Sequence, residues 1–498
     1  MLPPINDIYS GRSVFITGVT GFVGQVILEK LLYSVPSLKW VFILVRDSKK
    51  APASERWNQL KESVLFYRVR RDCPSAFDKV VVVRGDITLP NLGISAEDEA
   101  KIIQECSIVL HIAAMVKFTD TIKNAVDLNV RGTQRVIDLS RKMKKLQSFL
   151  HCSTAYSNCE LTRTTEKVYP MDFDAPKILE SLEWMDNSLA DALTPTLMGD
   201  KYNMYILTKA IAENVVNDVG GEIPAVIVRP SIVTGIWRDG IRGWTHGNSG
   251  LAAFVFSSYS GMHVAVGMKQ KIVFDTVPVD IVSNMIIVAA AQRCLSASSM
   301  VPVLHCASSD LNPVEQSTGF NVFAKTRMSV PLEKSLGSWG QHYEPRMVTR
   351  ARHAVRKAVV APVLDGVRSL RGKKSFYGPL FSRVSALYDA LDPIVSRSFH
   401  FQSAALVPLY ESMQLEDQQT FNFDIRQVEW KDYFVDYMLG VKRFIANEDA
   451  FDDEKVSAAR RQLFGLVPSY DSSSTLPAVS WRSRTSSRCS FASSALCS

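Results

Sequence analysis

The sequence predicts an α/β fold: a doubly wound parallel sheet with a smaller, mostly helical C-terminal module. Three observations carry this. Six short stretches in the first 240 residues are continuously apolar, helical stretches separate them, and an aromatic-rich run follows at 399–445. Strands apolar on both faces belong to a parallel sheet covered by helices on each side. Right-handed crossovers wind such a chain into a layer of helices on each face.

The elements follow in order. SVFITG (13–18) is a β-branched strand that runs into glycines and then the amphipathic helix VGQVILEKLLYSV. WVFILVR (40–46), KVVVVRGD (79–86) and SIVLHIAA (107–114) are the second to fourth strands. NVRGTQRVIDLSRKMKK (129–145) is a helix, LQSFLHCSTAY (146–156) the fifth strand and PAVIVRP (224–230) the sixth. An insertion at 157–200 separates the fifth strand from the segment KYNMYILTKA (201–210). These readings divide the chain into a sheet domain at 1–300, a basic connecting segment at 301–380 and a C-terminal module at 381–447. The serine-rich 467–498 reads as a disordered tail.

Bulk properties narrow the function. The 498 residues are 46% hydrophobic and 21% charged, ordinary for a globular protein, with a net charge of +7. That charge is mild for the length, and no basic stripe with interleaved aromatics speaks for nucleic acid. The eight cysteines include no CxxC pair, so neither a zinc site nor a disulfide framework is expected, and a reducing compartment is. No secretory signal is visible at the N-terminus and no run is long and apolar enough to span a membrane.

ITGVTGFVG places Gly18, Gly21 and Gly24 at a strand-to-helix turn. Glycines permit a tight turn and close backbone approach to a pyrophosphate, which the helix N-terminus then faces. The position after a strand and at the start of a βαβ unit makes this a dinucleotide site. Thr17, Thr20 and Phe22 belong to the same turn. Arg46 stands at the end of the second strand, where an NAD site would offer a carboxylate; an arginine there can pair with a 2′-phosphate, so NADPH is favoured. Asp86 and Ile87 are placed to meet the adenine. Ala113 and Ala114 let a cofactor lie against the backbone, with Asn129, Pro230 and Ile232 completing the expected cofactor set. His111 reads as a packed residue.

KYNMYILTKA holds two tyrosines and two lysines. Tyr205 and Lys209 share one helix face at i, i+4, as do Lys201 and Tyr205, while Tyr202 lies two turns from Lys209. Spacing alone leaves these pairs open.

TGVTGFVG, Asp86, HIAA, STAY and YILTK occur in the order found in the extended short-chain dehydrogenase/reductases, which the chain resembles. VFITGVTGFVG, HCSTAYSN, IVRPSIVTG, VPVDIV and FDIRQVEWKDYFVDYMLGVKRFI resemble one branch, the alcohol-forming, male-sterility-like fatty acyl-CoA reductases. The likeness covers roughly 8–300 and 380–447 and is thin over 301–380. It implies a Rossmann sheet with a sterile-type C-terminal module. It makes Tyr205 and Lys209 the catalytic pair, with a hydroxyl from Thr154, or second Ser153, on the substrate oxygen. Lys201 and Tyr202 are then bystanders. A neighbouring ammonium would lower the tyrosine pKa. The implied reaction takes a long-chain acyl-CoA through an aldehyde to a fatty alcohol of use in wax esters or ether lipids, with NADPH as reductant. Cys152 reads as a small buried strand residue rather than an acyl carrier. The insertion 157–200 and the segment 240–270 are expected to line the acyl channel.

Two other readings use the same scaffold: another extended short-chain dehydrogenase/reductase, either a nucleotide-sugar epimerase or dehydratase or a steroid-type dehydrogenase, or a nucleotide-binding module without catalysis. Between 346 and 374 lie Arg346, Arg350, Arg352, Arg356, Lys357, Arg368, Arg371, Lys373 and Lys374, against the single acid Asp365, with valines and leucines between them. Pro362 and Gly366 are expected to divide this stretch into two short helices. It can lie on an anionic membrane, which would place the enzyme on the cytosolic face of an organelle such as the endoplasmic reticulum or peroxisome.

Overall fold

The computed structural model describes residues 1–459 except 117–119, 172, 248–249, 261–270, 334–350, 352–353, 373, 450–451 and 453. The expected tail at 467–498, and Arg346, Arg350, Arg352 and Lys373, lie outside the described residues.

A seven-stranded sheet forms the centre. Its strands are β1 (Ser13–Thr17), β2 (Trp40–Val45), β3 (Val80–Arg84), β4 (Cys106–His111), β5 (Ser148–Cys152), β7 (Ala225–Pro230) and β10 (Val303–Cys306). Two further pairs stand apart: β6 (Arg163–Thr164) with β11 (His400–Phe401), and β8 (Ile232–Thr234) with β9 (Thr276–Pro278). The order is β10-β7-β5-β4-β1-β2-β3, and every pairing is parallel. The chain moves outward from β1 to β3, then returns to place β4 beside β1. That reversal opens a crevice beyond the carboxyl ends of β1 and β4.

Side chains alternate between two buried clusters. Val14 and Ile16 face one and Phe15 the other, as do Val41 and Ile43 against Phe42. Helices Phe22–Ser34 and Val279–Cys294 cover the first face; Gly132–Lys142 and the end of Met204–Asp218 cover the second. The Met204–Asp218 helix begins where the Asn203 side chain accepts from Ile206 N at 3.0 Å. Tyr205 thereby falls in the first turn and Lys209 one turn later.

Three expectations change. β10 and the helix Gln316–Ser329 lie inside 301–380, so that segment completes the sheet and adds a helix before its basic part begins. The C-terminal aromatics do not build a separate core. Phe421, Phe423, Tyr433, Phe434 and Tyr437 join the cluster on the first face of the sheet, and Tyr433 Oη donates to Gly235 O at 2.8 Å. Pro362 and Gly366 do not divide the basic stretch. A π turn at Arg356–Val360 runs directly into the helix Ala361–Leu370, with Pro362 two residues beyond the π turn.

Candidate active site

The glycine turn shows why its residues are glycines. Gly18 has φ +81°, and a Cβ there would lie 2.6 Å from Ala113 N; a Cβ on Gly24 would lie 2.2 Å from Gly18 O. Gly21 caps the Phe22–Ser34 helix with no side-chain hydrogen bond and no acid in the first turn, leaving its positive end to the crevice. Arg46 reaches out from the end of β2, its Nη1 3.8 Å from Asp86 Oδ2. Arg56, on the helix Ala53–Lys61, stands beside it: Nη1 donates to Arg46 O at 2.5 Å and Nη2 to Thr20 Oγ1 at 3.1 Å. Burial and then the positive charge of Arg46 lower the Arg56 pKa, as expected of two cations sharing one space. Asp47, next to Arg46, is turned away. It accepts from Ala53 N at 2.8 Å and Arg84 Nε at 2.7 Å.

The candidate reacting groups converge beyond β5. The Thr154 hydroxyl hydrogen-bonds the Tyr205 phenol. Lys209, buried, donates from Nζ to Cys152 O at 2.6 Å. Ser153 is engaged elsewhere: its Oγ donates to Glu213, which is paired with Arg229 Nη2 at 2.6 Å. Thr154 is therefore the hydroxyl that meets Tyr205, and Ser153 ties the strand end to a buried ion pair. The expected lowering of the Tyr205 pKa is not found. Burial raises it, the Cys152 thiol adds to the rise, and the Thr154 hydrogen bond opposes it. Lys209 is itself lowered by burial. Cys152 is pushed up to about 11 by burial, so its thiol stays protonated and is a poor nucleophile.

Thr17 and Asn129 are placed behind the site. Thr17 Oγ1 is 2.8 Å from His111 Nδ1 and accepts from Ala113 N at 3.2 Å. Asn129 holds Met115 N at 2.8 Å and Thr208 Oγ1 at 2.9 Å, joining the loop after β4 to the Tyr205 helix. Neither lines the cavity; both tie together the elements that surround it. His111 is pushed down to about 3 by burial, and the adjacent His151, whose two ring nitrogens have no partner, is also driven below its ordinary value by burial. Both are neutral in the folded protein. Stability is then unaffected by them above about pH 6.5 and falls as pH drops below it, by about 1.4 kcal/mol per pH unit for each imidazole that stays neutral, for His111 down to about 3. Urea midpoints should be level above about pH 6.5 and fall below it. A midpoint unchanged down to about pH 5 would contradict neutral burial.

One cavity of about 1310 Å³ joins these parts. The remaining expected cofactor residues line it: Gly18, Thr20, Gly21, Phe22, Gly24, Arg46, Asp86, Ile87, Ala113, Ala114, Tyr205, Lys209, Pro230 and Ile232. Thr154 and Ser153 line it too, and it continues to the apolar walls Phe254, Phe320, Phe323 and Phe434. A family profile described as "Male sterility protein" matches residues 16–286, more than half of the chain, and a second, "Sterile", with the same description matches 356–448.

The chain belongs to the male sterility protein family.

Its relatives there include fatty acyl-CoA reductase 2 of Bos taurus, 34% identical over 443 residues, spanning 89% of this chain and 86% of the relative. Fatty acyl-CoA reductase 1 of Homo sapiens is 33% identical over 466 residues, 92% of this chain and 89% of its own. The terminal R domain of the myxalamid PKS-NRPS pathway shares the fold at TM-score 0.59 and 17% identity, covering 89% of this chain and 93% of that one. The reductase domain of a non-ribosomal peptide synthetase from Mycobacterium tuberculosis does so at 0.55 and 16%, covering 88% and 95%.

Several features of this family member depart from the sequence reading. No described residue of 157–200 lines the cavity; the insertion's helices pack with Ile122, Leu207 and Ile211 on the outer side of the Tyr205 helix. Of 240–270, Thr245, His246, 250–254, Phe256 and Ser257 line the cavity, while 248–249 and 261–270 lie outside the described residues. The other walls, Gly319, Phe320, Phe323, Leu380, Ile394, Phe434 and Tyr437, come from segments that read as core or connector. Arg56 was also missed; its only sequence signal is a cation on the helix that follows β2. Lys201 and Tyr202 are occupied, Lys201 by Glu160 at 2.6 Å and Tyr202 by the Arg397 guanidinium.

Proposed function

We propose that the protein reduces long-chain fatty acyl-CoA to the fatty alcohol, with NADPH as reductant and the aldehyde as a bound intermediate. The observation that carries this reading is the Tyr205–Thr154 pair, set in one cavity between the nucleotide turn and an aromatic, apolar end. The residues fit NADPH. Gly18 and Gly24 let the turn close tightly on itself and against Ala113, the uncapped Phe22–Ser34 helix would face the charge of a pyrophosphate, and Arg46 with Arg56 would hold the 2′-phosphate. When bound, NADPH supplies hydride to the substrate carbonyl carbon.

The chain's own groups do the rest. Tyr205 and Thr154 hold the thioester carbonyl oxygen and stabilise negative charge as it develops there. The resulting hemithioacetal breaks its C–S bond, releasing CoA and leaving the aldehyde at the same two hydroxyls. In the second reduction Tyr205 gives its proton to the alkoxide oxygen. A phenol kept protonated by burial suits this direction, because the reaction consumes a proton at that atom. Lys209, anchored on Cys152 O, would hold the cofactor's sugar. The alcohol formed suits wax-ester or ether-lipid synthesis. Purified protein given NADPH and a panel of acyl-CoAs, with products identified by mass, tests the reading; a panel that yields neither alcohol nor aldehyde refutes it.

Replacing Arg46 and Arg56 together by Asp and Ala should reduce the preference for NADPH over NADH on the order of tenfold to a hundredfold, the worth of one or two charge-assisted hydrogen bonds. If kcat/KM for the two cofactors keeps its ratio, the arginines are surface residues.

Peripheral membrane binding belongs to the same proposal. Among the described residues no helix is long and apolar enough to cross a membrane. Val355, Val359 and Val363, at four-residue spacing, are 56%, 55% and 61% exposed, and Leu370 is 90% exposed. Lys357, Arg368, Arg371 and Lys374 share this stretch. Each cation near an anionic surface contributes about 1 kcal/mol. The protein should sediment with anionic vesicles at low salt and be released at high salt, and Lys357, Arg371 and Lys374 reversed to Glu should weaken the association. Wild-type protein that stays in the supernatant at both salt concentrations, or pellets equally with neutral lipid, argues against an electrostatic anchor.

A further inference from the structure

On the acyl-CoA reading, three groups meet at Tyr205 and Thr154: the cofactor, the acyl tail and the CoA moiety. Two sides of the cavity suit the first two, the glycine turn with Arg46 and Arg56 and the aromatic walls Phe254, Phe320, Phe323 and Phe434. A third side is built from three segments stitched together. Gln316 N donates to Ile272 O at 2.8 Å, Gln316 Nε2 to Val395 O at 2.7 Å, and Val273 N to Ser398 Oγ at 3.1 Å. Phe274, Glu315, Gln316, Ile394 and Val395 of this knot line the cavity. It lies at the chemistry end, because Ile394 packs in the cluster that Tyr205 joins.

The outer edge of this knot is cationic. Lys271 precedes Ile272, Arg397 follows Val395 by two residues, and both are exposed. Arg163, also exposed, pairs in register with His400, three residues beyond Arg397. Among the described residues none of the three has a carboxylate partner. The acids nearby are engaged: Glu160 by Lys201 Nζ at 2.6 Å, Asp310 by His400 Nε2 at 3.2 Å, and Glu315 by the Ser317 hydroxyl at 3.0 Å. Arg397 is also oriented. It donates to the Tyr202 hydroxyl and lies 5.4 Å from the centre of that ring, and Tyr202 stands three residues before Tyr205. Most of the five N–H donors of its guanidinium remain for a ligand. We infer that Arg397, with Lys271 and Arg163, forms a second phosphate-binding site, separate from Arg46 and Arg56, which takes the phosphates of the CoA moiety. The inference rests on the acyl-CoA reading above and specifies where the head group of that substrate leaves the cavity. A thioester held at Tyr205 sends its pantetheine arm past Gln316 and Val395 to this edge. There the arginine fork matches phosphate oxygens and the lysine adds a point charge.

The test compares two thioesters with one tail: palmitoyl-CoA, and palmitoyl-N-acetylcysteamine, which ends before the first phosphate. Hexadecanal, also free of phosphate, serves should the short thioester turn over too slowly. Arg397→Ala should raise KM for palmitoyl-CoA about tenfold, the worth of one charge-assisted hydrogen bond, and weaken inhibition by free CoA by the same factor. Adding Lys271→Ala and Arg163→Ala should raise it further, while Arg397→Lys, which keeps the charge, should retain part of the affinity. The kcat on palmitoyl-CoA, the KM for the phosphate-free substrate and the affinity for NADPH should stay at wild-type values, which also shows that the variants fold. An unchanged KM for palmitoyl-CoA in the triple variant, an equal rise for both substrates, or a matching loss of NADPH affinity overturns the inference alone. Wild-type protein inert toward palmitoyl-CoA and the phosphate-free substrates overturns the functional reading and this inference with it.

Discussion

Tyr205→Phe is expected to lower turnover by about a thousandfold or more while NADPH binds with unchanged affinity. The substitution removes one oxygen and leaves the ring in its place, so the cavity keeps its shape. What it loses is a hydrogen bond to the developing oxyanion and the proton that the alkoxide must receive. Thr154 remains to hold the carbonyl oxygen, but a hydroxyl bonded to nothing acidic is a poor proton source. NADPH fluorescence titration separates binding from rate. Turnover within about tenfold of wild type would remove Tyr205 from the chemistry. It would not restore Tyr202, whose hydroxyl is held by Arg397.

The second large effect concerns stability. Arg229 and Glu213 are each 1% exposed and joined by two hydrogen bonds, 2.8 Å at Nε and 2.6 Å at Nη2. Arg229 also reaches Lys167 O at 2.9 Å, and Ser153 and Ser157 both bond Glu213. Arg229→Met should destabilise the fold by about 3–5 kcal/mol, because it leaves a buried carboxylate without its counter-charge. Arg229→Met/Glu213→Met should recover a good part of that loss, since the unpaired charge goes too. Denaturant midpoints decide it. A single variant within about 1 kcal/mol of wild type would mean that water already reaches the pair. The pair anchors the Ser153 end of β5 to the helix bearing Tyr205, so the variant should lose activity along with stability.

Legibility differed by element for physical reasons. β1, β2, β4, β5 and β7 are buried on both faces and, with the edge strand β3, read as apolar runs. β10 has four residues, too few to stand out from VPVLHC in a connector. The glycine turn was legible because backbone conformation and close approach restrict residue type at single positions. The choice between Thr154 and Ser153 was not, because it depends on Glu213, a residue of another element that claims the serine. The sign of the Tyr205 shift was misjudged for a related reason. Four-residue spacing puts Lys209 on the same helix face, but Cys152 O holds its ammonium and burial then dominates. The walls of the acyl end were hidden because Phe320, Phe323 and Phe434 look like any core aromatics until the helices come together. The insertion 157–200 misled through its position directly after β5; its buried residues Ala175, Ile178, Leu179 and Leu182 cover the far side of the Tyr205 helix.

The most direct measurement is the reduction of palmitoyl-CoA by purified protein with NADPH dideuterated at nicotinamide C4, the product being read by mass spectrometry. Two reductions at one carbon held between Tyr205 and Thr154 predict hexadecanol with two deuterium atoms on C1 and one CoA released per alcohol. An aldehyde carrying a single deuterium as the final product, or NADPH that stays unoxidised with every acyl-CoA, would contradict it.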